Sequence, residues 1–174
     1  MKIVVLKFGG TSVGSIEKIK KVAEIIEEYK KKNYKIIVVS SAMSGVTNEL
    51  IKKSKGISKN FSEAEYDVLV SSGEQVACSL IAGRLIHKGF KSRSWLAWQI
   101  PILTKGPHKN SKIHLVNKKK ISDYLKEGGI PIITGFQGAN KEGRVTTIGR
   151  GGSDASAIVL AKFFKANRCV IYTD

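Results

Sequence analysis

IVVLKFGGTSVGSIEKIKKVAEIIEEY, residues 3–29, joins a short apolar run, a glycine pair and a longer segment of mixed polarity. The first four residues are all apolar, which is typical of a strand covered on both faces. From Ile16 to Tyr29 apolar residues recur at helical spacing, and Ser15 stands where a helix N-cap is expected. A strand, a tight turn and a helix in this order predict the first unit of a parallel α/β sheet.

The same alternation continues along the chain. Ser62 begins a capping-box pattern that predicts a long helix ending at Gly89, and Ser153 is predicted to cap an apolar helix through Phe164. The other predicted elements are strands at 36–39, 113–116, 130–133 and 169–172, helices at 46–53 and 118–126, a serine- and glycine-rich turn at 40–45, and one hairpin arm at 144–148. This order favours a parallel, helix-covered sheet in a single globular unit.

Composition restricts the function classes. The 174 residues are 42% hydrophobic and carry a net charge of +16, with a pI near 9.9. Such a charge suits nucleic-acid binding, but no helix-turn-helix, zinc-finger or RNP-type sequence is present. A solvated, lysine-rich surface on a protein that handles anions is the preferred interpretation. No metal site is predicted from side chains, because His87, His108 and His114 show no ligand spacing with Cys, Asp or Glu.

The cysteines and the apolar segments indicate the compartment. Cys78 and Cys169 lie in apolar surroundings and are predicted to be buried hydrophobes in a reducing compartment. No signal peptide and no apolar run of membrane length is seen, so a cytoplasmic protein without membrane contact is expected. Trp95 and Trp98, three residues apart, are predicted to pack rather than to stack on a ligand.

Two glycine-rich turns carry the chemistry. KFGGTS at 7–12 and GRGGSD at 149–154 each follow an extended segment and precede a helix, where backbone N–H groups hold anions. Neither turn matches the Walker pattern, and Asp154 stands where the dinucleotide pattern requires its third glycine. Two anion-binding turns suit a phosphate donor and an anionic acceptor.

These turns also carry a family resemblance. KFGGTSV at 7–13 is similar to the signature of aspartate kinases within the amino acid kinase family. Further segments resemble the family's other motifs in order, namely VVSSAMSGVTN at 38–48, SGE at 72–74, WQIPI at 98–102, TGF at 134–136, GRGGSD at 149–154 and YTD at 172–174. The resemblance covers residues 2–174. It implies a three-layer α/β/α sandwich with a mainly parallel sheet, truncated at its C-terminal side.

The resemblance also assigns roles. It implies that Lys7 and Asp154 are catalytic, and that ATP and Mg²⁺ are used to phosphorylate L-aspartate in the first step of lysine, threonine and methionine synthesis. The residues expected around aspartate are Ser41, Thr47, Glu74, Phe136, Arg150 and Ser153. Those expected around the nucleotide are Lys7, Gly9, Gly10, Thr11, Thr173 and Asp174. A homo-oligomer is expected for the complete protein, with no nucleic-acid partner.

The residue chemistry agrees with these roles. The acceptor carboxylate has a reference pKa of about 3.9, so it is ionised at neutral pH and requires no general base. Lys7 and Mg²⁺ can neutralise charge on the transferring group, and Asp154 can orient Lys7. Arg150 offers a planar fork for a carboxylate, whereas Glu74 offers the opposite charge for an ammonium group.

Three expectations concern completeness and alternatives. Because residues 169–172 read as a central strand, residues 1–174 are expected to form the N-terminal part of a catalytic domain and to lack the rest of the nucleotide half and the regulatory domains. Such a fragment can be inactive alone. The alternatives are a family member with another acceptor, such as glutamate, acetylglutamate, carbamate or UMP, and a non-catalytic basic module.

Overall fold

The computed structural model describes residues 2–149 and 151–173. Within that part, the strands are β1 (Ile3–Phe8), β2 (Lys35–Ser40), β3 (Ser92–Trp95), β4 (Ile102–Lys105), β5 (Lys112–Val116), β6 (Ile130–Thr134), β7 (Gln137–Ala139), β8 (Val145–Thr147) and β9 (Arg168–Tyr172). The helices are α1 (Ile16–Lys31), α2 (Val46–Ile57), α3 (Glu63–His87), α4 (Lys119–Lys126) and α5 (Gly152–Phe163), with one 3₁₀ turn at Ala97–Gln99.

The main sheet is parallel and has the strand order β3-β6-β2-β1-β9. Its pairing register places Leu6 of β1 opposite Val38 of β2 and Val170 of β9. Helices α1 and α3 cover one face, while α4 and α5 cover the other. The predicted three-layer α/β/α sandwich with a mainly parallel sheet is therefore confirmed.

Both faces of the central strands are buried, which explains the continuous apolar runs in the sequence. In β1, Val4 and Leu6 pack toward α1 and α3, whereas Val5 packs toward α5. Side chains alternate between the faces of a strand, so a strand covered on both sides needs an apolar residue at every position. Helix α1 begins as predicted, since the Ser15 hydroxyl accepts a hydrogen bond from the Lys18 amide.

A second sheet, in the order β5-β4-β7-β8, was only partly predicted. Strand β5 and the hairpin arm β8 were expected, but β4 and β7 of this sheet were missed, as was β3 of the main sheet. These three strands have only three or four residues each, too few for a clear alternation of apolar and polar side chains. Because β8 leads directly into the second glycine turn, this sheet helps to position the candidate site.

Several sequence-based predictions were wrong in detail. Cys169 is exposed rather than buried, because β9 lies at the edge of the described sheet and most of its residues are accessible. Ser153 lies inside α5, and Gly151 takes the N-cap position instead. Ser62 does precede α3, but its side chain makes no capping hydrogen bond with a described residue. Trp95 packs edge-on against Tyr124 as expected, whereas Trp98 is half-buried.

No helix in the described ranges combines the length and the apolar character that crossing a membrane requires.

Candidate active site

A cleft of about 340 Å³ opens where β1, β2 and β6 end. The residues that follow these strands form its floor, Glu74 of α3 forms one wall, and the start of α5 forms another. The lining residues are Lys7, Gly10, Ser41, Ala42, Met43, Ser44, Gly45, Thr47, Glu74, Phe136, Gly149, Gly151, Gly152, Ser153 and Asp154. The carboxyl ends of parallel strands are the usual place for a ligand in an open α/β sheet.

The first glycine turn is held tightly against the loop that follows β2. The carbonyl of Gly10 accepts a hydrogen bond of 3.0 Å from the amide of Ser44. A Cβ atom on Gly10 would lie only 2.9 Å from the carbonyl oxygen of Ala42, a distance that real side chains do not reach. Glycine is therefore required here because two backbone segments approach each other closely.

Lys7 and Asp154 form an ion pair at the floor of the cleft. The Nζ atom of Lys7 lies 2.7 Å from Oδ1 of Asp154, and only 6% of Lys7 is exposed. Asp154 lies in the first turn of α5 and is more accessible than the lysine. The carboxylate thus holds the buried ammonium group in one position while leaving it next to the cleft.

Two helix N-termini face this cleft. Helix α2 begins after Gly45 and α5 begins after Gly151, and both glycines are left-handed, with φ of 85° and 72°. Neither helix receives a capping hydrogen bond from a described side chain. The first amides of a helix lack intrahelical partners and carry partial positive charge, so both helix ends can bind anions.

Glu74 supplies the opposite charge. Only 3% of the residue is exposed, and its Oε1 atom accepts a hydrogen bond of 3.1 Å from the amide of Ala42. Its Oε2 atom is buried without a hydrogen-bond partner among the described residues. Burial raises the pKa of Glu74 from 4.5 to about 7, although the Ala42 amide acts in the other direction. A buried carboxylate with one unused oxygen favours a cationic group of a ligand.

Phe136 is held in an unusual backbone conformation, with φ of 66°. Its amide donates to the hydroxyl of Ser156, which itself donates to the carbonyl of Gly152. A Cβ atom on Gly152 would lie 2.6 Å from the Phe136 ring, so the ring packs directly on the glycine turn. A non-glycine residue in this region costs free energy and persists only where its surroundings enforce it.

The structure brings together most of the residues predicted for the site. Those that line the cleft are Lys7, Gly10, Ser41, Thr47, Glu74, Phe136, Ser153 and Asp154. Gly9 lies beside it and donates its amide to the carbonyl of Tyr172, whereas Thr11 borders a separate cavity of about 230 Å³. Thr173 is exposed beyond β9. Arg150 and Asp174 lie outside the described residues.

Sequence reasoning did not single out several residues. Met43, Ser44 and Gly45 line the cleft, and their position in a serine- and glycine-rich turn after the second strand was the available signal. The buried carboxylate of Asp67 was also missed, because its partners lie far away in the sequence. Within 2–149 and 151–173, no group of three His, Cys, Asp or Glu residues could hold a metal ion.

Comparisons with known proteins agree with this geometry. The sequence model of the amino acid kinase family matches residues 2–174. The chain is 49% identical to an aspartokinase of Rickettsia felis and 49% identical to one of Geobacillus stearothermophilus, in each case over its whole length. It covers 44% and 43% of these two proteins, so it spans less than half of the curated relatives that it matches.

A solved structure shows the same arrangement of the chain. E. coli aspartokinase III in complex with aspartate and ADP, in its R-state, superposes with a TM-score of 0.88 at 26% identity. The superposition covers 99% of this chain and 49% of that protein.

Proposed function

This chain belongs to the amino acid kinase family, and from that membership we propose that it forms the acceptor-binding part of an aspartate kinase. The reaction is transfer of the γ-phosphoryl group of ATP to the β-carboxylate of L-aspartate, which gives 4-phospho-L-aspartate. The aspartokinases that match over the whole chain support this proposal. Residues 1–174, which cover 44% of the Rickettsia felis protein, are proposed to be the N-terminal part of a catalytic domain.

The observation that carries the proposal is the charge pattern of the cleft. Among the described residues, Glu74 has a buried carboxylate oxygen without a hydrogen-bond partner, and no side chain caps the two helix N-termini that face the same space. An amino acid with a second carboxylate has one ammonium group and two anionic groups, which match one acidic residue and two anion-binding helix ends. Arg150, which lies outside the described residues, is proposed from the sequence to pair with one carboxylate.

Lys7 and Asp154 are proposed to act on the transferring group. The ammonium group of Lys7 stabilises negative charge on the phosphoryl oxygens as the bond to ADP loosens. Asp154 keeps this ammonium in place through the 2.7 Å ion pair. Because the attacking carboxylate is already ionised at neutral pH, positioning and charge neutralisation suffice and no base is assigned.

The remaining residues are proposed to bind and orient the substrates. Ser41, Thr47, Phe136 and Ser153 line the cleft and would contact aspartate. The nucleotide would contact Gly9, Gly10, Thr11, Thr173 and Asp174, together with Lys7. Mg²⁺ would be bound largely through the phosphates of ATP, as is usual for this ion in nucleotide sites. When bound, the metal would neutralise negative charge on the phosphates. The cytoplasmic location and the assembly into a homo-oligomer, both expected from the sequence, stay predictions.

Calorimetric titration of the 174-residue chain with L-aspartate tests the acceptor site, with L-glutamate as the matched ligand. Circular dichroism and a cooperative urea transition establish that the chain is folded before each titration. Selective binding of aspartate, weakened in Glu74→Gln, would support the proposal. A folded chain that binds neither amino acid, or that prefers glutamate, would contradict it. A glutamate preference would favour another acceptor within the family.

A further inference from the structure

A second buried carboxylate on α3, that of Asp67, lies outside the cleft and is fully inaccessible. Its Oδ1 atom accepts a hydrogen bond of 2.5 Å from the hydroxyl of Thr147, and its Oδ2 atom accepts one of 2.6 Å from Nδ1 of His108. The backbone amide of Lys109 donates to both oxygens at 3.1 Å. Because a carboxylate only accepts hydrogen bonds, Nδ1 of His108 carries the proton in this contact.

These contacts fasten three segments that are distant in sequence. Asp67 belongs to α3, Thr147 ends β8, and His108 with Lys109 lies in the loop between β4 and β5. The left-handed residue Lys109, with φ of 65°, turns its amide toward the carboxylate. Burying a carboxylate without hydrogen bonds costs free energy, and these donors satisfy both oxygens of Asp67.

The fastened loop also presses on the second glycine turn. A Cβ atom on Gly149 would lie 2.6 Å from Oδ1 of Asn110, so the loop packs directly against the turn. The amide of Ser111 donates to the carbonyl of Thr147, two residues before Gly149. The loop therefore packs against Gly149, and β8 ends two residues before it. Both the loop and β8 donate hydrogen bonds to Asp67.

Asp67 also shares a helix face with Glu74. The two residues are seven positions apart on α3, which is close to two helical turns, and both side chains are buried. One face of α3 therefore carries two carboxylates. Glu74 lies at the cleft and is proposed to bind the ammonium group, and Asp67 accepts a hydrogen bond from Thr147 of β8. The distance from Glu74 to the glycine turn is then fixed through a single rigid helix.

We propose that Asp67 is a positioning residue, which sets Gly149 and the start of α5 at the correct distance from Glu74. The inference rests on the proposed function, because it assigns Asp67 to aspartate binding without contact to the ligand. Thr147 and His108 transmit its effect. Groups linked through a packed network of this kind change the affinity at a neighbouring site when one member is removed.

The experiment uses Asp67→Asn and Thr147→Val in the 174-residue chain, both of which keep side-chain size. Ser92→Ala is the control, since the buried Ser92 hydroxyl donates to the Ile130 carbonyl in the main sheet. The affinity for L-aspartate and the stability to urea are measured for each variant. We expect roughly tenfold weaker aspartate binding in Asp67→Asn and Thr147→Val. Ser92→Ala should keep the wild-type affinity although its free energy of unfolding falls by a similar amount.

Hydrogen exchange by mass spectrometry separates this inference from the proposed function. Peptides covering residues 149–156 should exchange faster in Asp67→Asn and Thr147→Val than in Ser92→Ala, whether or not aspartate binds. Two results would show that Asp67 is not a positioning residue. One is unchanged exchange in these peptides; the other is binding of aspartate by Asp67→Asn and Thr147→Val with the same affinity as the wild-type chain. A wild-type chain that does not bind aspartate, together with faster exchange in the variants, would overturn the assignment of Asp67 to aspartate binding. Asp67 would then stabilise only the local structure.

Discussion

The ammonium group of Lys7 lies 2.7 Å from the carboxylate of Asp154, although the two residues stand near opposite ends of the sequence. The pair joins the end of β1 to the first turn of α5, and therefore links the two glycine-rich turns to each other. Lys7 is buried and Asp154 is partly accessible. This arrangement keeps one fixed positive charge at the floor of the cleft.

Replacement of either member of this pair should impair turnover more than substrate binding. In an active kinase that contains this chain, Lys7→Met and Asp154→Asn are expected to lower kcat by roughly 100- to 1000-fold. The first removes the positive charge that acts on the transferring group, and the second releases the ammonium group of Lys7 from its position. Titration should show a much smaller change in aspartate affinity. Lys119→Met is the control, since Lys119 is exposed and pairs with Asp123 on α4, away from the cleft. Near-normal turnover in Lys7→Met would exclude the proposed role.

The free energy of unfolding should depend on pH because of Glu74. Its pKa is raised by burial from 4.5 to about 7, so the folded chain binds this proton more tightly than the unfolded chain. The contribution of Glu74 to the free energy of unfolding therefore decreases as pH rises from about 4.5 to about 7, by about 3 kcal/mol in total. Glu74→Gln should remove this loss and be more stable than the wild type at pH 8.

Urea denaturation at pH 5 and pH 8 measures this difference, with Glu24→Gln as an exposed control on α1. The predicted stabilisation at pH 8 would mean that Glu74 is kept at the expense of stability, as is common for binding-site residues. Equal stability of the two proteins at pH 8 would show that the carboxylate is not destabilising in the folded chain.

Aspartate affinity should depend on the same proton. The ionised form of Glu74 is the one that attracts an ammonium group, and its population increases as pH rises through about 7. Binding is therefore expected to strengthen between pH 5 and pH 8, and the pH dependence should disappear in Glu74→Gln. Calorimetry across this range provides the measurement; an unchanged pH dependence in the variant would assign it to another group.

Two glycines of α3 should respond oppositely to alanine. A Cβ atom on Gly73 would lie 2.8 Å from Cβ of Ala42, whereas a Cβ atom on Gly83 would meet no atom within 4 Å. Gly83→Ala is expected to stabilise the protein by up to about 1 kcal/mol through helix propensity. Gly73→Ala should destabilise it and weaken aspartate binding, because the loop after β2 must shift. Thermal unfolding and titration with aspartate measure both effects. If both variants are more stable than the wild type, the loop after β2 moves without a cost in free energy.

The two thiols should differ in reactivity. Cys78 is buried and its pKa is raised by burial, whereas Cys169 is exposed on β9. The pKa of Cys169 is also raised, first by partial burial and then by the negative charge of Asp154. A thiol reagent should therefore label one cysteine in the folded chain and both after unfolding. Asp154→Asn should accelerate labelling of Cys169; an unchanged rate would argue against proximity of the two groups.

The sequence by itself predicted the layers of the fold and the two glycine-rich turns, which supply Lys7, Gly10, Ser153 and Asp154 to the cleft. Apolar runs such as Ile36–Val39 require a strand covered on both faces, and the glycine turn at 9–10 follows such a strand directly. Because the ends of parallel strands meet at one edge of the sheet, local patterns were sufficient to place this turn beside the loop after β2, whereas the second glycine turn follows β8 of the other sheet. The family resemblance added the roles of single residues.

Only the tertiary structure decided which distant groups touch. The exposure of Cys169 depends on the position of β9 at the edge of the described sheet, and the capping of α5 depends on the left-handed Gly151. The contacts of Asp67 with His108 and Thr147 span more than forty residues. Local sequence patterns record the period of a helix or strand, but they contain no information about the partner that a buried polar group finds across the fold.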